Sequence, residues 1–167
     1  MLNAAIWLGA ALFYTVSVAP AMISSDMLAL FGKSSAFYSG SVEQIVLTRY
    51  CHWHTGCAVI ALLHLLAESL YLGRALNRLW SSLLAALLAL GLIGSFWLHP
   101  KLAELHREHF LNIRPESRMA AAKSFRFWQG VFQAMNVLML GGVGVYFWQA
   151  TNPPDALRFV SPAKFRG

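Results

Sequence analysis

The chain has 167 residues, of which 57% are hydrophobic and only 12% are charged. Soluble domains usually carry about 25% charged residues, so the composition excludes an ordinary soluble domain and predicts a membrane protein. The formal net charge is +6, but the basic residues lie between and after apolar stretches instead of forming the continuous patch typical of nucleic-acid binding. We therefore expect the lipid bilayer, and no nucleic acid, as a partner.

Four apolar stretches, each close to the length of a bilayer crossing, define the predicted fold. They run from about Ala4 to Ile23, Thr55 to Leu72, Leu79 to Leu98 and Val131 to Ala150. A helix rises 1.5 Å per residue, so roughly 20 apolar residues cross a hydrocarbon core about 30 Å thick. The sequence therefore predicts an all-α fold, an integral membrane bundle of four transmembrane helices in residues 1–150. A short basic C-terminal tail follows in residues 151–167.

The segments between these stretches predict further structural features. Ser24 to Tyr50 is too polar to cross a membrane and too apolar for a simple loop. We expect interfacial amphipathic segments there, broken at Gly40. The link from Gly73 to Arg78 is short, so the second and third helices are expected to be antiparallel neighbours. Pro20 and Pro100 are expected to bend or end the first and third helices, and no internal repeat is evident.

The basic residues also predict an orientation. The first and third connections carry eight Lys and Arg residues, whereas the opposite side of the membrane carries five. The positive-inside rule places the richer side in the cytoplasm, which leaves both termini outside. The first stretch has no basic segment before it and is longer than the core of a typical signal peptide, so we expect it to remain as a helix.

The ionisable residues that most clearly suggest a functional site lie in the second stretch. His64 and Glu68 are four residues apart and share a helix face, and His54 continues that face toward the start of the helix. An ionisable residue inside a membrane is costly unless it is paired or hydrated. One hypothesis makes His64 a haem ligand, or His54, His64 and Glu68 ligands of a transition metal. The alternative is a hydrogen-bonded pair of His64 and Glu68 facing the bundle.

Other histidines and the two cysteines give weaker signals. The run from Arg49 to His54 contains ligating residue types, but its spacing is not that of a four-ligand zinc site. His106 and His109 lack an open-site metal motif and are expected on a solvated helix face. Cys51 and Cys57 are six residues apart, too far along a helix for a disulfide, so we expect two packed thiols.

The fourth stretch begins with three amide side chains on compatible helix faces, at Gln129, Gln133 and Asn136. Such amides usually form hydrogen bonds between helices in lipid. They are expected to join helices or to line a polar cavity.

Several of these motifs together resemble the transmembrane protein 205-like family, four-helix membrane proteins of unknown function. The resemblance covers Trp7-Leu8-Gly9, Val18-Ala19-Pro20-Ala21, Trp97-Leu98-His99-Pro100 and the region from Phe125 to Asn136. It implies a membrane-embedded helical domain and supplies no catalytic residues. Gln129 stands where that family commonly has a histidine, so no histidine chemistry is carried over to this chain.

The leading functional hypothesis is a non-enzymatic multi-pass membrane protein without a cofactor, acting as an accessory or scaffold subunit. Small residues on the third and fourth helices would then contact other membrane subunits or a second copy of the chain. The alternative is a haem- or metal-binding redox protein that uses His64. A small transporter with His64 and Glu68 in its pathway is a third hypothesis.

Overall fold

The structure, a computed structural model, describes residues 1–32, 35–72 and 78–152. The expected basic tail from residue 153 onward and the link at residues 73–77 lie outside the described residues. All regular elements within the described ranges are helical, and four helical spans are long and apolar enough to cross a membrane. The predicted all-α membrane bundle is confirmed.

The helices follow one another in a simple order. The first span comprises α1 (Leu2–Phe13), a π-helical segment (Tyr14–Val18) and α2 (Ala19–Met22). The short α3 (Ser25–Leu30) precedes α4 (Ser35–Leu72), which forms the second span. The third span comprises α5 (Arg78–Ile93), a second π-helical segment (Gly94–Leu98) and α6 (His99–Leu111), and the fourth is α7 (Pro115–Thr151).

The second span is much longer than the sequence suggests, and the expected break at Gly40 is wrong. Helix α4 has 38 residues, about 57 Å at 1.5 Å per residue, and it passes through Gly40 without interruption. A Cβ at Gly40 would collide with the imidazole ring of His106. The glycine therefore allows α4 and α6 to approach closely, and its role is packing and not helix termination.

Pro20 and Pro100 do not end their helices. Proline lacks an N–H group, and its ring clashes with the carbonyl group four residues earlier. In both spans a π-helical segment of five residues ends two residues before the proline. The wider turn accommodates the ring, and the helix continues as α2 or α6. The expected break after the third span is thus a local widening.

The two halves of the chain repeat one arrangement that the sequence does not reveal. Each half begins with a helix containing a π-helical segment and a proline, and each ends in a helix of 37 or 38 residues. Tyr14–Val18 and Gly94–Leu98 are eighty residues apart in the chain, as are the first residues of α4 and α7. The expectation of no internal repeat therefore fails at the level of structure.

The four spans form an up-and-down bundle in which α4 and α7 each contact both α1 and α5. Gly91 and Gly94 approach Thr55 and Cys51 in reverse order, so α4 and α5 are antiparallel neighbours as predicted. We call the end that contains α3 and the connection from α6 to α7 the loop end. The opposite end, with Met1 and Thr151, is the terminal end.

Candidate functional site

A buried histidine joins three spans at the centre of the bundle. The Trp7 indole N–H donates a 2.9 Å hydrogen bond to Nδ1 of His54, and Nε2 of His54 lies 3.2 Å from the Leu87 carbonyl oxygen. An indole N–H can only donate, so Nδ1 carries no proton and Nε2–H donates to Leu87. His54 is therefore a neutral imidazole with both ring nitrogens occupied by protein groups.

A second buried network lies one helical turn closer to the loop end. The Tyr50 hydroxyl donates a 2.7 Å hydrogen bond to Oδ1 of Asn136, whose Nδ2 donates to Oγ1 of Thr15 at 2.9 Å. Tyr14 stacks on Tyr50 with ring centroids 4.0 Å apart. The prediction that Asn136 joins helices is thus confirmed, and three spans are tied together by satisfied polar groups.

Two adjoining cavities open from this network toward the loop end, and we call them together the loop-end cavity. Their volumes are about 280 Å³ and 320 Å³, and Ile23, Glu43 and Gln129 line both. Gln129, Gln133 and Asn136, expected to join helices or else to line a polar cavity, all line the inner one. The bundle therefore contains, at its loop end, a cavity whose mainly apolar walls carry several polar side chains.

Glu43 lies where the two cavities meet, and it is the carboxylate they share. It is partly buried, and among the described residues its hydrogen-bond partner is Gln129, whose Nε2 lies 3.4 Å away. Within those ranges no Lys or Arg lies within ion-pair distance of Glu43. Arg126 lines the outer cavity but forms no ion pair with Glu43, so the carboxylate faces the cavity with Gln129 as its partner among the described residues.

Glu43 is not among the predicted site residues because it falls in a region expected to form interfacial amphipathic segments. On a helix that starts at Ser35, Glu43 lies on the same face as Ser39, Leu47 and Tyr50, all of which are buried. That spacing of three and four residues is the signal that could have identified it.

A third cavity, of about 350 Å³, lies at the terminal end and contains two of the predicted site residues. His64 and Glu68 line it together with Trp80, Tyr146 and Gln149. Nδ1 of His64 lies 3.6 Å from Oε1 of Glu68, and the side chains are 69% and 46% exposed. His64 therefore lies at the terminal end of the bundle, in a cavity that Met1 also lines, and not at the bundle centre.

The structure does not bring the three predicted metal ligands together. His54 is ten residues before His64 on one continuous helix, about 15 Å along its axis. A metal at His54 would have to displace the hydrogen bond from Trp7 or the one to Leu87. Within the described residues, no group of three or more His, Cys, Asp and Glu side chains could hold a metal ion.

The remaining histidines and the cysteines also have separate environments. His52 is exposed, and its Nδ1 lies 2.8 Å from the Thr48 carbonyl oxygen. His106 is buried, contrary to the expected solvated face, because Nε2 bonds the Phe37 carbonyl oxygen at 3.2 Å and the ring stacks on Phe37. Cys51 and Cys57 are free, buried thiols, as predicted.

The chain is similar to one family of sequences. The family model for DUF4149, a domain of unknown function, matches residues 2–110, which include the first three spans, Glu43 and His54. No curated protein and no solved structure matches the chain. The match covers well over half of the 167 residues, and the chain therefore belongs to the DUF4149 family of multi-helix domains of unknown function.

Proposed function

We propose that this protein is a non-enzymatic membrane protein that binds a small cation in the loop-end cavity, with the Glu43 carboxylate as its charged ligand. The observation that carries the proposal is the environment of Glu43. A carboxylate inside a membrane-spanning bundle is costly unless it is paired or hydrated, and such residues mark ligand or ion sites. Here the described protein groups offer one amide at 3.4 Å and no Lys or Arg within ion-pair distance.

The surroundings of Glu43 support a binding role in two further ways. The cavity walls are polar on the side of the amides, so an ion that loses part of its water meets protein oxygens. The first span also contains Pro20 and a π-helical segment beside the cavity. Segments of this kind occur frequently at functional sites.

A cation titration of the purified protein in detergent tests the proposal. The unfolding temperature is measured with chloride salts of sodium, potassium, ammonium and choline at constant ionic strength. A ligand at about 100 times its Kd stabilises the folded state by about 2.7 kcal/mol, which raises the unfolding temperature of a chain of this size by roughly 5–10 °C.

The matched variants are Glu43→Gln and Glu108→Gln, since Glu108 is exposed on α6. We expect at least one cation to raise the unfolding temperature of the natural protein and of Glu108→Gln but not of Glu43→Gln. If no cation produces a shift that depends on Glu43, the proposal is wrong.

A second candidate function, the accessory or scaffold subunit, is favoured by the outer face of α7. Four small or β-branched residues follow one another on its exposed side: Gly130, Ala134, Val137 and Gly141. A Cβ at Gly130 or Gly141 would meet nothing within 4 Å, whereas one at Gly142 would lie 2.8 Å from Leu87. The two outward glycines are thus free of packing constraints within the chain, and small outward residues allow close helix contacts in lipid.

Photocrosslinking distinguishes this role. A photoreactive amino acid at Val137 should form a protein adduct in membranes, and one at Leu63, exposed on α4, should react with lipid alone. Lipid adducts alone at Val137 would remove the accessory-subunit candidate.

Three finer hypotheses remain predictions. The haem or metal alternative requires His64 or His54 to bind a group that the geometry of the described residues does not favour. The relation to transmembrane protein 205-like proteins rests on the sequence motifs between Trp7 and Asn136 alone. The orientation with both termini outside is supported by the distribution of basic residues.

A further inference from the structure

The outer part of the loop-end cavity has an aromatic wall. His106, Phe110 and Phe125 line the cavity of about 320 Å³ that also contains Glu43. The His106 ring centroid lies 4.9 Å from that of Phe110 and 5.7 Å from that of Phe125. Phe110 and Phe125 therefore each contact the His106 ring, and the three rings line the same cavity as the carboxylate.

An aromatic wall beside a carboxylate selects among cations. Ring faces attract a positive charge through the ring quadrupole, most effectively when the cation sheds its water easily, and quaternary ammonium groups are recognised in this way. Hard metal cations instead take six or more oxygen ligands. The carbonyl oxygen of Phe37, on α4 beside this wall, already accepts from His106.

We infer that the ligand of the loop-end cavity is an organic ammonium group, held by the Glu43 carboxylate and the rings of His106, Phe110 and Phe125. This inference rests on the proposed function and specifies its ligand class. The combined cavity is within the volume range of small-molecule sites. It is therefore large enough for an alkylated ammonium group and the chain attached to it.

Arg126 indicates a second chemical group on the ligand. It lines the same cavity and is exposed, one helical turn from Gln129 toward the loop end, about 4.5 Å along α7. A guanidinium there opposes a bare cation but pairs with a phosphate on the same molecule. Both a phospholipid headgroup and a water-soluble amine present the required ammonium group, so the experiment must separate these sources.

The test compares choline with its neutral carbon isostere, 3,3-dimethylbutan-1-ol, and with potassium ions, using the unfolding temperature of the detergent-purified protein. We expect choline alone to raise the unfolding temperature, and Glu43→Gln to abolish the shift.

Phe110→Leu and Phe125→Leu keep an apolar side chain but remove the ring. Either should weaken the apparent affinity roughly fivefold or more, in keeping with the strength of a cation–π contact.

Protein in nanodiscs of phosphatidylcholine or phosphatidylglycerol identifies the source by native mass spectrometry. Retention of phosphatidylcholine that Glu43→Gln abolishes indicates a lipid headgroup, whereas choline binding without retained lipid indicates a soluble amine.

Equal Glu43-dependent shifts of the unfolding temperature with potassium and with choline would overturn the ammonium inference but not the proposed cation site. An equal effect of the neutral isostere also overturns it, and no Glu43-dependent shift with any cation removes both proposals.

Discussion

Trp7 and His54 are forty-seven residues apart in the chain, and the indole of one donates to the imidazole of the other at 2.9 Å in the bundle centre. Both side chains are 1% exposed. This bond joins the first span to the second, and the remaining nitrogen of His54 joins the third through Leu87. The histidine that the sequence offers as a metal ligand thus has a structural role.

Replacement of the indole donor tests that role. Trp7→Phe leaves Nδ1 of His54 buried without a donor, which should lower the free energy of unfolding by about 1–3 kcal/mol, with loss of ring volume adding to it. Trp53→Phe is the matched control, because Trp53 is 52% exposed on the same helix as His54. Unfolding in mixed micelles measures the difference; equal effects of the two substitutions would contradict the buried hydrogen bond.

Gly40 and Gly91 should tolerate no side chain. A Cβ at Gly91 would lie 2.8 Å from Oγ1 of Thr55 and 2.9 Å from Cδ2 of His54, and Gly40 is similarly tight against His106. We expect Gly40→Ala and Gly91→Ala each to destabilise the protein by about 1–3 kcal/mol. Gly9→Ala, with open space around its Cβ, should be neutral or stabilising because alanine favours helix.

A double substitution separates the Gly40 contact from a general effect on α4. If the ring of His106 is what a methyl group at Gly40 meets, adding His106→Ala to Gly40→Ala should cost less than the sum of the single changes. Strict additivity in the measured free energies of unfolding would show that the contact is not responsible.

Glu43→Gln should stabilise the ligand-free protein or leave its stability unchanged. The natural carboxylate is partly buried with one amide partner among the described residues, and a neutral amide there avoids the penalty of an unpaired charge. Binding sites commonly carry such a penalty in stability. Unfolding temperatures without added cation give the answer, and clear destabilisation by this change would indicate a structural role instead.

Orientation can be measured with cysteine labelling in intact cells. Ile113→Cys places a thiol at a residue that is 95% exposed between α6 and α7, and Thr151→Cys places one at the terminal end. We expect a membrane-impermeant maleimide to label the second from outside and the first only after permeabilisation. The reverse pattern would contradict the positive-inside assignment. The natural cysteines are buried and give the background in the unsubstituted protein.

The visible spectrum and metal content of the purified protein test the redox alternative. We expect a colourless protein without stoichiometric metal, since both nitrogens of His54 are occupied and His64 is mostly exposed. A Soret band or bound metal that His64→Ala removes would make the redox hypothesis primary.

The sequence predicts the four spans well because crossing a bilayer imposes a length and a composition that single helices must satisfy. It fails at Gly40 and Glu43, since residues 35–50 read as polar in isolation and become helical through contact with α6. The sequence around Gly40 and Glu43 does not indicate that His106 packs against Gly40 or that Gln129 bonds to Glu43, because these partners lie 66 and 86 residues away in the chain.

The same difference between local and long-range contacts decides which parts of the candidate site the sequence predicts. His64 and Glu68 were correctly placed on one helix face, because their contact is local and four residues apart. The loop-end cavity is formed by the first π-helical segment together with α2, α3, α4, α6 and α7, so its position depends on the assembled bundle. The amides of α7 are the part of this cavity that the sequence predicts.

The repeated two-span unit has a consequence for how the chain can move. A unit with two crossings returns the polypeptide to the side where it started, so both copies insert in the same direction. The two π-helical segments, which begin at Tyr14 and Gly94, then lie at a similar level of the bundle, because Tyr14 stacks on Tyr50 and Gly94 approaches Cys51. Since the proline after each segment lacks a backbone donor, we expect the loop-end parts of the first and third spans to tilt more easily than the rest of the bundle. Such a tilt would widen the space beside Glu43 and leave the layer around His54 unchanged.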